Sequence, residues 1–233
     1  MHRKEYLSSE EVRQFINWIE PKLDSLNSFH HVYCMKKPVI QWECHSIYSA
    51  FENYIWAFKH SDPVSNIIIK GKTFNDSFKS LQMLSLGLRK SIENGDNEGC
   101  RKYCYSILEW GGVLSKNEQR IIGLGDDICR YLNSTRDIFT SNLVLTDYYN
   151  EDIIMNSGFT KIYSLCIDDF IIYDGRVGAA LGLLVRKFCE DSKLEAVPVK
   201  LRLHGVKGKK AFARKAVKTD EIRVKKVIVS LSY

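Results

Sequence analysis

One stretch of this chain, residues 155–188, holds residue types at spacings that go beyond packing. Asp174 stands in the string Ile172-Tyr173-Asp174-Gly175-Arg176-Val177 and opens a predicted long helix that buries Val177, Leu181, Leu184, Val185 and Phe188. A carboxylate there is ionised and rigidly held, because the leading amides and dipole of a helix favour negative charge. Such a group can stabilise developing positive charge, or orient and deprotonate a water molecule. Upstream, Ser157-Gly158 predicts a tight turn before a short helix from Thr160, and the amides at that turn could hold a phosphate. Plainer roles stand beside these. Asp174 also fits an N-cap worth about 1 kcal/mol, and Lys161 fits a solvent-facing or phosphate-contacting lysine.

The elements that must position these groups read as helices. Ser8 or Ser9 can cap a helix carrying Val12, Phe15, Ile16 and Ile19, expected to stop at Pro21. Residues 44–59 show helical spacing of Ile47, Tyr48, Phe51, Tyr54, Ile55 and Phe58. Further helices are predicted over 74–93 (ending at Asn94-Gly95), 97–110 (stopped by Gly111-Gly112), 117–133 and part of 137–150. After a short helix, the Gly158 turn, a second short helix and the Asp174 helix, the pattern changes. Val197, Val199, Leu201 and Leu203 alternate with polar residues, and 222–229 do so less cleanly, which predicts two short strands around a basic loop. The fold class expected is mainly α: a helical body over 1–150, a helix-hairpin-helix and Asp-helix segment over 151–192, and a basic C-terminal extension over 193–233.

A helix, a glycine hairpin, a second helix, a loop and an Asp opening a long helix together resemble the core of helix-hairpin-helix DNA glycosylases. Gly158-Phe159-Thr160-Lys161 is similar to a reduced hairpin, with Thr160 where that family has its second glycine. Residues 172–177 are similar to its catalytic Asp string, with Arg176 in place of a histidine and a shorter interval from the hairpin. The resemblance implies that Gly158, Phe159 and Thr160 grip a DNA backbone, that Arg176 assists them, and that Asp174 is the catalytic carboxylate. It also implies that Lys161 is the candidate amine nucleophile found in some members. The chemistry fits a carboxylate: breaking an N-glycosidic bond builds positive charge on the sugar, which a nearby anion stabilises. A target base would be flipped and stacked between side chains such as Tyr173 and Trp110. Its identity is not encoded. The resemblance alone suggests an unusual base, such as hypermodified phage cytosine, and a defence role.

Charge supports a polyanionic partner. Across 233 residues the net charge is +6, yet Lys200–Lys226 alone carries eleven basic and two acidic residues, +9, leaving −3 elsewhere. Lys207, Lys209 and Lys210 lie in that segment and are expected to add non-specific affinity for double-stranded DNA. Apolar content of 45% excludes a disordered chain. No apolar run approaches the roughly 20 residues of a membrane span, and the acidic start after MHRK lacks a signal-peptide core, so a cytoplasmic protein is expected.

Seven irregularly spaced cysteines form no CxxC pair, which points to reduced and mostly buried thiols. Cys44-His45 is the nearest approach to a ligand cluster, but adjacent residues rarely chelate one ion, so no metal site is expected. Nor is a cofactor: Gly71-Lys72-Thr73 lacks the upstream glycine of a phosphate loop. The expectation is a DNA glycosylase. The alternatives are a non-enzymatic DNA- or RNA-binding protein that keeps the hairpin for grip, and a helical protein-interaction module.

Overall fold

The computed structural model describes residues 3–36, 39–141 and 153–203. It is mainly helical, with two small antiparallel hairpins. The chain divides into two compact units: Tyr54–Asp174, and a second that joins Arg3–Asn53 with the chain from Gly175 onward. A boundary near residue 150 therefore does not separate them, since the first unit runs through it. Among the described residues no helix is long and apolar enough to cross a membrane.

The unit Tyr54–Asp174 begins with a hairpin of β1 (Ile55–Ser61) and β2 (Ile68–Thr73). Residues 44–59 are thus not one helix. From Trp56 onward the side chains alternate, with Trp56, Phe58 and His60 turned inward and Ile55, Ala57 and Lys59 outward. The aromatic run satisfies a period of two as well as a helical one, and packing selects the strand. Asp62 shapes the turn, its Oδ1 accepting from Ser65 N at 2.7 Å and Val64 N at 3.0 Å.

Two long helices follow with the predicted bounds, α1 (Phe74–Glu93) and α2 (Asn97–Trp110). Their ends are written in local chemistry. Thr73 and Asp76 form a capping box, with Thr73 Oγ1 accepting from Asp76 N at 3.2 Å, and the Asp76 carboxylate accepting from the amides of Thr73 and Lys72 at 3.0 Å. Asp96 caps α2 through Gly99 N at 2.9 Å. Gly112 closes α2 at a φ of +64°, with Val113 N returning to Leu108 O at 2.9 Å. The predicted 117–133 helix is broken into α3 (Glu118–Leu124) and α4 (Ile128–Thr140) by a turn at Gly125, φ +51°. α5 (Phe159–Cys166) completes the unit.

The core of this unit is built from Leu84, Leu88, Ile107, Leu108, Ile121, Ile128, Leu132, Phe159, Ile162 and Tyr163, all essentially inaccessible to solvent. Each such side chain contributes roughly 1.5–3 kcal/mol through burial. Two polar ties pin α1 to α5: Ser85 Oγ and Arg89 Nε both donate to Leu165 O, at 2.7 and 2.9 Å. Residues 153–158 are not helical, so the described residues contain no helix-hairpin-helix: a single helix, α5, follows the Gly158 turn.

In the other unit, α6 (Arg3–Ser8) and α7 (Glu10–Leu23) precede a hairpin of β3 (His31–Lys36) and β4 (Val39–Cys44), then α8 (Ile47–Glu52). α7 passes through Pro21, and the one bond the proline forfeits would have gone to the carbonyl of Asn17, an exposed residue. It packs on α9 (Gly175–Asp191): Val12, Val185, Phe188 and Cys189 are buried together, and Phe15, Trp18 and Phe188 form a ring cluster. The predicted strand at 197–204 is instead a single 3-10 turn at Val199–Leu201 after Pro198, in which only Leu201 is buried. Among the described residues no strand lies beside it, and an alternation without a partner does not form a strand. Residues 222–229 lie outside the described residues, as do Lys207, Lys209 and Lys210. None of the seven cysteines forms a disulfide; six are buried and Cys34 is exposed. Burial pushes the Cys166 thiol up to about 12.

Truncating the α1 cap, Thr73→Ala, is expected to cost about 1 kcal/mol and to lower the melting temperature by about 2–4 °C. The backbone amides of Thr73 and Lys72 hold the Asp76 carboxyl down at about 2. Its unfolded value is about 3.9. Its contribution is therefore complete above about pH 4 and is lost as pH falls towards 2. Asp76→Ala should remove that acid-dependent component, visible as a flatter stability curve between pH 4 and 2 in urea unfolding.

A buried lysine–aspartate pair as the candidate functional site

α5 is capped from Asn156 rather than from the glycine. The Asn156 side-chain oxygen accepts from Gly158 N at 2.8 Å and Phe159 N at 3.1 Å, while its carbonyl takes Thr160 N at 3.0 Å. The amides expected to hold a phosphate are therefore already bonded within the chain. Gly158 is buried, and a Cβ there would lie 2.3 Å from Asn117 Nδ2 and 2.9 Å from Leu108 Cδ2. Phe159 and Thr160 are buried as well. The three residues expected to grip a nucleic-acid backbone face the protein interior, because the apolar face of this short helix forms part of the core.

The same burial carries Lys161 inward. Its Nζ donates to Ser157 O at 2.9 Å and to Asp174 Oδ2 at 3.0 Å, with side chains only 5% and 16% exposed. Two residues that the sequence singled out separately thus form one ion pair. The returning segment is held by Thr160 Oγ1, which donates to Tyr173 O at 2.9 Å. The lysine stem lies against the end of α2: a Cβ at Gly111 would fall 2.6 Å from Lys161 Cδ and 2.9 Å from Cε. Gly111 has an ordinary helical φ of −76°, so it is the space and not the backbone that requires glycine.

Sequence reasoning missed Gly111, Asn156 and Ser157. Gly111 was legible only as a helix stop, and Asn156, a residue type that caps helices, directly precedes the predicted turn. Trp110, expected as a pocket wall, is 5% exposed and packs its ring against Trp56 and Phe58 at 6.3 Å, while Trp56 Nε1 donates to its carbonyl at 3.0 Å. It is a core residue anchoring the β1–β2 hairpin. Tyr173 is 37% exposed beside the pair, and Arg176 is exposed in the other unit.

Chemically, the pair sets an ammonium and a carboxylate within proton-transfer distance in a poorly hydrated place. The carboxylate can act as an anion or, by taking the proton, release a neutral amine. An ion pair in such a setting is held by mutual attraction and by the extra bond to Ser157 O. Loss of either partner strands the other. Comparison with family models, with curated proteins and with solved structures finds no match for this chain.

Gly111→Ala is expected to displace the Lys161 stem and to cost about 1–3 kcal/mol by overpacking. In a double-mutant cycle with Asp174→Asn the two losses should be non-additive, because both act on the same ammonium. Thermal denaturation of the four proteins measures this.

Proposed function

We propose that this chain is a DNA glycosylase in which Asp174 is the catalytic carboxylate and Lys161 its partner. The observation that carries the reading is the buried Lys161–Asp174 pair. A lysine and an aspartate suited to N-glycosidic chemistry, identified from the sequence one at a time, meet at 3.0 Å in a place with little water. The concentrated positive charge of Lys200–Lys226 supports a nucleic-acid substrate. In this reading the target nucleotide leaves the stack and its sugar comes to lie against the pair. The carboxylate stabilises the oxocarbenium-like transition state as the C1′–N bond breaks. Water then adds to C1′ and gives up a proton to Asp174. In the covalent variant Lys161 first passes its proton to Asp174, and the free amine attacks C1′ with departure of the base. DNA-backbone grip is assigned to the basic segment rather than to Gly158, whose amide is already bonded to Asn156.

A second reading is favoured by the mutual saturation of the pair. Each charge already has its counterpart, so the pair can serve only to fix the 167–174 segment in a protein that binds DNA or RNA without chemistry.

One assay separates them. Wild type and Asp174→Asn are incubated with duplexes carrying single modified bases and with hypermodified phage DNA, then treated with alkali. Alkali-labile strand breaks made by wild type, and reduced about a hundredfold or more in Asp174→Asn, are the expected result. A covalent protein–DNA adduct trapped by borohydride, and lost in Lys161→Gln, assigns the amine route; breaks without an adduct assign the hydrolytic one. If no substrate is cut while both proteins retard DNA at low salt, the binding reading replaces the enzymatic one.

A further inference from the structure

We propose that His30, Glu43 and His45, at the open end of the β3–β4 hairpin, form a binding site for a divalent transition-metal ion of the zinc class. Register brings them together. The hairpin pairs His31 with Cys44 and Val32 with Glu43, so the next step of the ladder sets His30 opposite His45. Positions 30, 32, 43 and 45 then share one face, since successive side chains alternate. His30 Nε2 lies 2.8 Å from Glu43 Oε1, His45 Nε2 lies 3.7 Å from the same oxygen, and the three donor atoms all fall within 4.8 Å of one another. Ligands on a tetrahedral zinc ion, bound at about 2.0–2.2 Å, stand about 3.3 Å apart. Small side-chain rotations therefore suffice.

The donor chemistry suits the ion. Two neutral imidazoles and a carboxylate form a set that zinc accepts, and three protein donors leave positions open for water. The two rings are stacked at a centroid separation of 5.1 Å and an interplanar angle of 11°, so both nitrogens approach the carboxylate from the same side. The backbone beneath is fixed independently of any ion. Phe29 N donates to His45 O at 3.1 Å. The amides of His45 and Ser46 donate to Ser49 Oγ at 2.9 and 3.0 Å, within the capping box that starts α8. All three ligands are exposed, so an ion can reach them without opening the fold. Cys44, the residue next to two of them, is buried and its side chain faces Phe29 O instead.

A bound ion would staple the segment before β3 to the end of β4. Its open positions would be available to an oxygen donor from outside the chain, such as a phosphate or carboxylate. Neither role draws on the lysine–aspartate pair.

The test is zinc titration by calorimetry on metal-stripped protein of native sequence, with no polyhistidine tag. Cobalt(II) follows as a visible-light probe of geometry. The expected result is one equivalent of zinc per chain, a tetrahedral or five-coordinate cobalt spectrum, and a raised thermal midpoint with zinc. His30→Ala, His45→Ala and Glu43→Gln should each weaken binding by about tenfold or more. Because these residues are exposed, the metal-free variants should keep the wild-type circular dichroism and melting temperature. Cys34→Ser, which removes the exposed thiol of the same hairpin, should bind as wild type does. No uptake by wild type, uptake that neither histidine substitution weakens, or uptake lost in Cys34→Ser would each overturn the assignment.

Discussion

An ammonium group taken into the interior of a protein must be met there, and much of the Tyr54–Asp174 unit is arranged around meeting one. Every residue of α5 from Phe159 to Tyr163 is buried, Lys161 among them. An unpaired charge in that position would cost several kcal/mol. Ser157 O and Asp174 Oδ2 supply the acceptors, which obliges the chain after α5 to come back to the first turn of the same helix within residues 167–174. Thr160 secures that return through Tyr173 O. The lysine stem also needs volume, and the end of α2 yields it by having no side chain at Gly111. Helix, loop and glycine thus answer to one charged group.

How far the sequence spoke for the fold depended on whether the signal was local. α1 and α2 match their predicted bounds because Thr73, Asp76, Asp96 and Gly112 write their ends within a few residues of chain. Residues 44–59 misled because aromatic and β-branched residues fitted two periods at once, and only packing against Trp110 chose between them. The alternation at 197–203 failed for the opposite reason: the local pattern was clean, but among the described residues no strand lies beside it. Lys161 and Asp174 were each legible as candidates. Their pairing was not, since a separation of thirteen residues matches no helical or strand repeat and is closed by a loop.

The histidines show the same limit from another side. The local Cys44-His45 dipeptide is too short to chelate one ion, while the cluster that the fold assembles takes His45 with His30 and Glu43, across a hairpin that the helical pattern does not contain. Non-local chemistry of this kind becomes visible only once register is known. Charge behaves differently again. The contrast between a strongly basic Lys200–Lys226 segment and a slightly acidic remainder is a property of composition, independent of how any element folds.

Trp110 and Gly111 are neighbours that face different structures. The indole packs with Trp56 and Phe58 of the β1–β2 hairpin, and the next residue supports the stem of Lys161. One of the four indoles of this protein is thus a single peptide bond from the glycine that makes room for the charged pair. Indole emission depends on the polarity and rigidity around the ring, so a movement of the Lys161 stem would travel through one peptide bond and appear as a change in the colour or intensity of tryptophan light, with no label attached.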